Sequence, residues 1–235
     1  MTNDPLPRPV DLYPGLPLTV TKAGSGRPVL VLHGGHGPAN TVAIQNHFEK
    51  TSTVMAPTHP GWNGTPRPAW FSGVDDLAHG YLDLLEDERL HDVLVVATSF
   101  GGWIASEMAV RDRGHRIGRM VLIDPIGPEI DGFTMRLDWE QPGGRPMPAN
   151  MHLVYAYAGR SLSDPKLLRR LGRVRTPTLV LWGEDDPVHP PEYGRAYAGA
   201  FADSRFEIVP GARHMPVVEA PEATFAAIDS FLTAS

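Results

Sequence analysis

The sequence predicts an α/β fold: a doubly wound, mostly parallel sheet with helices on both faces and a short inserted cap. Three observations predict it. Short apolar runs rich in β-branched residues recur along the chain. Most are continuous rather than alternating, as strands buried on both faces require. Helix-like segments separate them, and that alternation implies right-handed crossovers between parallel strands. One connection, from Gly127 to about Gly172, breaks the rhythm: it shows no strand and much Pro and Gly.

In chain order, the strand candidates are Leu18–Thr21, Val29–His33, Val54–Ala56, Val93–Thr98, Met120–Asp124, Thr178–Trp182 and Phe206–Val209. Helices are expected over Asn40–Lys50, Val74–Glu88, Gly102–Arg111, Pro191–Phe201 and Pro221–Leu232. In the last, Pro221 suits a helix start, and Phe225, Ile228, Phe231 and Leu232 share one face. The irregular connection carries Phe133, Met135, Trp139, Met147, Met151, Tyr155 and Tyr157. A loop that long inside a compact domain is usually functional. It reads as a cap over residues 127–172, inserted in one domain spanning residues 1–235, with short helices near Ala149–Ala158 and Asp164–Leu171.

The 235-residue chain has a formal charge of −6, spread rather than blocked. It has no Lys/Arg run interleaved with aromatics, so nucleic acid is not an expected partner. The longest apolar stretches, such as Val29–Leu32 and Val93–Ala97, are strand-sized and far short of a membrane span. The opening MTNDPLPRPVDLYPG lacks the basic-then-apolar signal pattern, so a soluble, cytoplasmic protein is expected. With no cysteine, disulfides, thiolate metal sites and a cysteine nucleophile are excluded. His33 and His36 lie three apart, but no carboxylate cluster beside them completes a metal shell. Neither metal nor cofactor is expected, and the partner is a small-molecule substrate. Monomer and homodimer both remain open.

The stretch VLVVATSFGGWIASEMA, residues 93–109, places Ser99 on a tight corner between a strand and a helix. Ligands of an open parallel sheet sit beyond the carboxyl ends of its strands, where this serine falls. So sharp a turn strains the serine backbone and crowds its neighbours, so small residues are needed two before and two after it. Gly101 meets the second requirement, and Ala97 departs from glycine at the first by one methyl. The following helix directs its free N–H groups at charge developing near Ser99.

Here the chain resembles the α/β-hydrolase family, with Ala97-Thr98-Ser99-Phe100-Gly101 standing where the G-x-S-x-G nucleophile elbow would be. LHGGHGP, Leu32–Pro38, is similar to the family's oxyanion loop, and the resemblance implies the Gly35 and Phe100 amides as donors. LVLWGEDDPVHP and VPGARHMP each follow a strand and supply Asp186 and His214, so Ser99, Asp186 and His214 come in the family's order. A serine hydroxyl needs an adjacent base, and that imidazole needs a carboxylate to hold its tautomer. The family's G-x-x-D-P pattern points to Asp186 as the acid. Asp185 beside it, and Asp124 in LIDPIGP at the end of the preceding strand, remain alternatives.

Among the other histidines, His33 is expected to hydrogen-bond within its loop, His36 to line the pocket and His189 to face solvent. His59 lies in APTHPGWNGTPRP, a segment read as structural. Phe133, Met135, Trp139, Met151 and Tyr155 of the cap give an apolar roof, although such a cap also needs a core of its own. Trp62, with Trp70 and Phe71, is a candidate pocket wall. Arg136, Arg145 and Arg160 are candidates for binding a substrate carboxylate. The resemblance implies a serine hydrolase cleaving an ester-like bond of a small or medium apolar substrate through an acyl-enzyme on Ser99. The alternatives are hydrolysis of a C–C bond in a vinylogous diketone, proline-iminopeptidase-like hydrolysis, and ligand reception on a hydrolase scaffold.

Overall fold

The computed structural model describes residues 8–137, 140, 143 and 146–234. Its continuous apolar runs become strands covered on both sides. Val29–Leu32, Val95–Ala97 and Leu179–Trp182 are each at most 2% exposed. Eight strands form one sheet: β1 (Arg8–Tyr13), β2 (Leu16–Ala23), β3 (Arg27–Leu32), β4 (Ser52–Thr58), β5 (Val93–Thr98), β6 (Ile117–Ile123), β9 (Thr178–Gly183) and β10 (Ser204–Val209). Their spatial order is β1-β2-β4-β3-β5-β6-β9-β10. From β4 to β10 every pairing is parallel, while β1 and β2 join antiparallel at one edge.

Alternating side chains along each strand supply two separate cores. Leu30, Leu32, Val95, Ala97, Leu122, Val180 and Trp182 pack against α2 (Val74–Asp87), α3 (Phe100–Arg111) and α6 (Pro191–Ala198). Val29, Val31, Val96, Val121, Leu179 and Leu181 pack on the other face with Ile44 and Phe48 of α1 (Val42–Phe48) and Ile228 of α8 (Pro221–Thr233). The doubly wound expectation is met. No helix among the described residues is long and apolar enough to cross a membrane.

Several elements depart from the sequence expectation. The proline-bearing segment before Pro14 forms β1, tolerated because an edge strand need not donate from every residue. The connection from Gly127 is not strandless, because β7 (Gly127–Pro128) pairs with β8 (Ser163–Asp164). A two-residue ladder is too short to leave a periodic signature. A short helix α7 (Pro216–Glu219) follows β10. Between β7 and β9 lie α4 (Met151–Ala158) and α5 (Leu167–Leu171), both shorter than the segments expected there.

The carboxyl ends of β3, β5, β6, β9 and β10 open on one side of the sheet. The loops that leave them hold the residues of interest.

Candidate active site

Ser99 has φ 49° and ψ −117°, a left-handed conformation that non-glycine residues rarely adopt. The corner is held at several points. Ser99 N–H donates to the Ile123 carbonyl at 2.8 Å, and the Ser99 carbonyl accepts from Gly102 at 2.9 Å and Ile126 at 3.3 Å. A Cβ on Gly101 would stand 2.5 Å from the Leu32 carbonyl oxygen and 2.6 Å from that of His33, so only glycine lets α3 start this close to β3. Ala97 is fully buried between Leu32 and Leu122 in the sheet register, and its methyl is part of the core.

Opposite the serine, its Oγ–H donates to His214 Nε2 at 2.9 Å, and His214 Nδ1–H donates to Asp186 Oδ2 at 2.9 Å. Asp186 is buried, and its Oδ1 accepts from Val188 N–H at 2.7 Å, which fixes the carboxylate in its turn. Asp185 is exposed and turned away, its backbone tied to the Ala212 carbonyl. The His214 loop is braced by Glu219, whose Oε2 accepts from Arg213 N–H at 2.7 Å and Met215 N–H at 3.1 Å. Sequence reasoning missed this brace; its signal is an acid five residues after the histidine at the end of a one-turn helix. A Cβ on Gly183 would lie 1.9 Å from the Arg213 carbonyl oxygen, so glycine at the end of β9 admits the loop. Burial disfavours a charged His214, but the charge and hydrogen bond of Asp186, reinforced by Asp124 and Glu219, outweigh it. The His214 pKa therefore lies above the ordinary histidine value of 6.5.

Asp124, the alternative acid, is fully buried at φ 44°. Its Oδ1 accepts from Gly183 N–H at 2.8 Å, and its Oδ2 is buried without a hydrogen-bond partner. One oxygen of Asp124, one of Asp186 and a ring nitrogen of His214 lie within 4.8 Å of one another. This grouping of two carboxylates and one imidazole is explained by the Asp186–His214 pair without a metal ion.

The loop after β3 is pinned by two histidines whose rings are in contact at a tilt. His33 Nδ1–H donates to the Gly34 carbonyl at 2.7 Å, and His33 Nε2 accepts from His59 N–H at 3.0 Å. His59 Nε2–H donates to the His33 carbonyl at 2.8 Å, and its Nδ1 accepts from Tyr81 at 2.5 Å. The rings lie 3.7 Å apart, and burial keeps both neutral, with the His33 pKa lowered to about 4 and that of His59 well below 6.5. Because a trans peptide points its C=O and N–H in opposite directions, fixing the Gly34 carbonyl turns the Gly35 N–H the other way. Phe100 N–H, the first of α3, is one of the amides that a helix leaves without an internal acceptor.

The pocket candidates divide. Trp62, expected as a pocket wall, is a correction: it is fully buried, donates Nε1–H to the Gly35 carbonyl at 2.9 Å and stacks on Phe100 and Tyr157, so it props the loop from behind. Its size and amphipathic ring suit a buried prop as well as a wall. Phe71 is buried too, whereas Trp70 is more than half exposed. Met151 and Val154 of α4 cover Gly35: a Cβ there would meet Val154 Cγ2 at 2.9 Å and Met151 Sδ at 3.6 Å. Phe133 packs edge-on to Tyr193, and Met135 packs against the core. Tyr155 lines a cleft with Glu140, Met147, His152 and Arg160. Trp139 and Arg145 lie outside the described residues. His36 keeps much of its surface in solvent, and partial desolvation of its ring, followed by the nearby charge of His214, lowers its pKa. His189, expected in solvent, is instead buried, with its ring stacked 3.9 Å from Tyr193. Its pKa falls to about 4 through burial, which outweighs the pull of Asp186; the His214 and Arg136 charges push it further down.

A doubly wound sheet with a strained serine corner, a glycine-rich loop beside it and a histidine after the last strand defines a hydrolase-type α/β protein. The chain belongs to the alpha/beta hydrolase family, whose sequence model matches residues 29–228. It is 22% identical over 262 residues to an uncharacterized protein of Mycobacterium tuberculosis, covering 89% of this chain and 76% of that one. It is 24% identical over 238 residues to the 2-hydroxy-6-oxo-6-phenylhexa-2,4-dienoate hydrolase of Comamonas testosteroni, covering 80% of this chain and 81% of the relative. Among solved structures, a thermophilic esterase from Thermogutta terrifontis superposes with a TM-score of 0.75 at 24% identity, over 92% of this chain and 93% of that one. That likeness is one of fold.

Proposed function

We propose that the protein is a serine hydrolase that cleaves an ester-like bond of a small or medium apolar substrate through an acyl-enzyme on Ser99. The observation that carries this reading is the hydrogen-bonded line Ser99–His214–Asp186, with both links at 2.9 Å. His214 takes the Ser99 proton as Oγ attacks the carbonyl, then returns it to the leaving group. Asp186 holds the Nδ1–H tautomer and stabilises the imidazolium. The Gly35 and Phe100 amides receive the developing oxyanion, where fixed dipoles need no reorganisation. In the second half-reaction a water takes the serine's place, with His214 again the base.

The Val154 and Met151 side chains over Gly35 support an apolar acyl site. A second reading, hydrolysis of a C–C bond in a substrate carrying a carboxylate, draws on the likeness to the Comamonas hydrolase. Arg136 is a candidate to meet that carboxylate: its backbone N–H donates to the Val188 carbonyl at 3.0 Å, beside the Asp186 turn, whereas Arg160 lines a cleft with Glu140 and Tyr155. The test is covalent labelling of wild type and Ser99→Ala with a fluorophosphonate, alongside turnover of p-nitrophenyl esters of rising chain length. Stoichiometric labelling of wild type alone, with a chain-length optimum, is the expected result. Labelling without ester turnover moves the assignment to C–C hydrolysis, and no labelling of folded wild type removes the serine mechanism.

A further inference from the structure

At the far end of the sheet from Ser99, one groove reverses the charge of the molecule. The chain carries −6 in all, yet nine of its 21 Lys and Arg residues fall in two short segments, 111–119 and 166–175. The first runs from the end of α3 into β6, and the second from α5 towards β9. The fold brings them together around a groove of about 640 Å³. Arg113 lines it from the first segment and Arg170, Arg173 and Arg175 from the second, and Asp112 is the one carboxylate residue of the lining. Both Asp112 oxygens are already used: Oδ1 accepts from Arg116 N–H at 3.1 Å and Oδ2 from Ile117 N–H at 2.9 Å. Arg170 is engaged too, its Nη1 lying 3.8 Å from Asp164 Oδ2. Arg113, Arg173 and Arg175 are exposed, and among the described residues their guanidinium groups have neither hydrogen bond nor ion pair. A solvated arginine face needs no explanation where its charges are dispersed. Here like charges crowd one concavity in a chain that has 27 acidic residues to place beside them.

We propose that this groove binds a small organic phosphate, its phosphate oxygens held by Arg113, Arg173 and Arg175. Guanidinium forks match phosphate oxygens two at a time and stay charged at every working pH. Beneath the arginines, Ile117 and Val174 give the groove an apolar floor on which the organic part lies. The volume falls within the range of about 300–1,000 Å³ common to small-molecule sites. A membrane surface would call for exposed apolar side chains instead, and Val42, Trp70, Met147, Ile208 and Val218, the large exposed ones, all lie outside the groove. Ile117 and Pro177 set it at the amino ends of β6 and β9. That is a strand's length, about 20 Å, from the carboxyl ends where Ser99 stands. The occupant is therefore not the bond cleaved at Ser99, and the proposal stands apart from the serine reading.

The test is titration calorimetry of the full chain with phenyl phosphate and with inorganic phosphate, on wild type, Arg113→Gln, Arg175→Gln and Lys50→Gln. Lys50 is an exposed cation outside the groove, so its variant matches the change in net charge. Circular dichroism confirms that each variant is folded. Wild type is expected to bind one phenyl phosphate, more tightly than inorganic phosphate because of the apolar floor. Arg113→Gln and Arg175→Gln each weaken it by about 10- to 100-fold, and Lys50→Gln leaves it unchanged. Equal weakening by Lys50→Gln would reduce the effect to overall charge and overturn the site, as would no binding by folded wild type. Sedimentation with phosphatidylcholine vesicles containing phosphatidic acid separates the two sources of phosphate. Binding to those vesicles without binding of phenyl phosphate overturns the small-molecule assignment in favour of a lipid surface.

Discussion

The strand-end frame and the cap are built to different standards. In the frame, nearly every polar group around Ser99 and His214 has a partner: the Ser99 carbonyl, the Gly34 and Gly35 carbonyls, both Asp186 oxygens and the Glu219 carboxylate are all bonded. Backbones approach so closely that glycine alone fits at Gly101 and Gly183. The cap rests on short helices, a two-residue ladder and isolated ties, such as Tyr157 O–H to the Pro60 carbonyl at 2.9 Å and Asn150 Nδ2 to the His36 carbonyl at 3.1 Å. The frame is specified by mutual constraint, and the cap by contact with what lies beneath it. Chemistry needs sub-ångström placement, whereas selection of an acyl chain needs shape, so one region tolerates change that the other does not.

The most damaging change to the frame removes the serine. Ser99→Ala is expected to lower kcat by about 10⁵-fold or more with an unchanged melting temperature, measured by ester turnover and calorimetry. Next comes Gly183→Ala, which drives a methyl into the Arg213 carbonyl next to His214. A shift of about 1 Å in that loop costs on the order of 10²-fold in kcat, and the collision costs about 1–3 kcal/mol of stability. Normal kinetics and stability would mean that the loop is more pliant than this packing implies.

Two sets of frame histidines separate by pH. His33 is neutral when folded, with its pKa lowered to about 4 from 6.5. Between those values the unfolded chain binds more protons, so stability falls as pH drops from 6.5 towards 4, by about 3 kcal/mol for His33 alone. Denaturant midpoints across that window check it, and a flat profile would break the account of the buried pair. His214 behaves oppositely. Its pKa lies above 6.5, so kcat/KM for a neutral ester is expected to fall as pH drops through a midpoint above that value, where the base becomes protonated.

The smallest effect belongs to the cap. Val154→Ala clears space over Gly35 and is expected to change the long-to-short ester ratio of kcat/KM by about tenfold. A matching loss on every ester would place Val154 in the frame instead.

Much of this was legible locally. Continuous apolar runs mark the buried strands because burial on both faces leaves no room for alternation. Ser99 and Gly101 are legible because the corner meets a steric demand within a few residues of chain, and the HGG loop and the G-x-x-D-P turn through their resemblance to the family's motifs. The roles of Trp62 and His189 were not. An aromatic or imidazole ring suits a wall, a prop or solvent equally well until its neighbours are known, and Trp62 meets Gly35 across 27 positions.

By itself, then, the sequence determined the sheet, the corner that carries the serine and the order in which base and acid arrive. Only the tertiary structure decided that Asp186 rather than Asp185 bonds His214, that Asp124 stands behind them, and that His33 and His59 pack together as a neutral pair. Those outcomes depend on how strands register and how completely a group is desolvated by segments far away in the chain. Both are properties of packing, and no local pattern of residues records them.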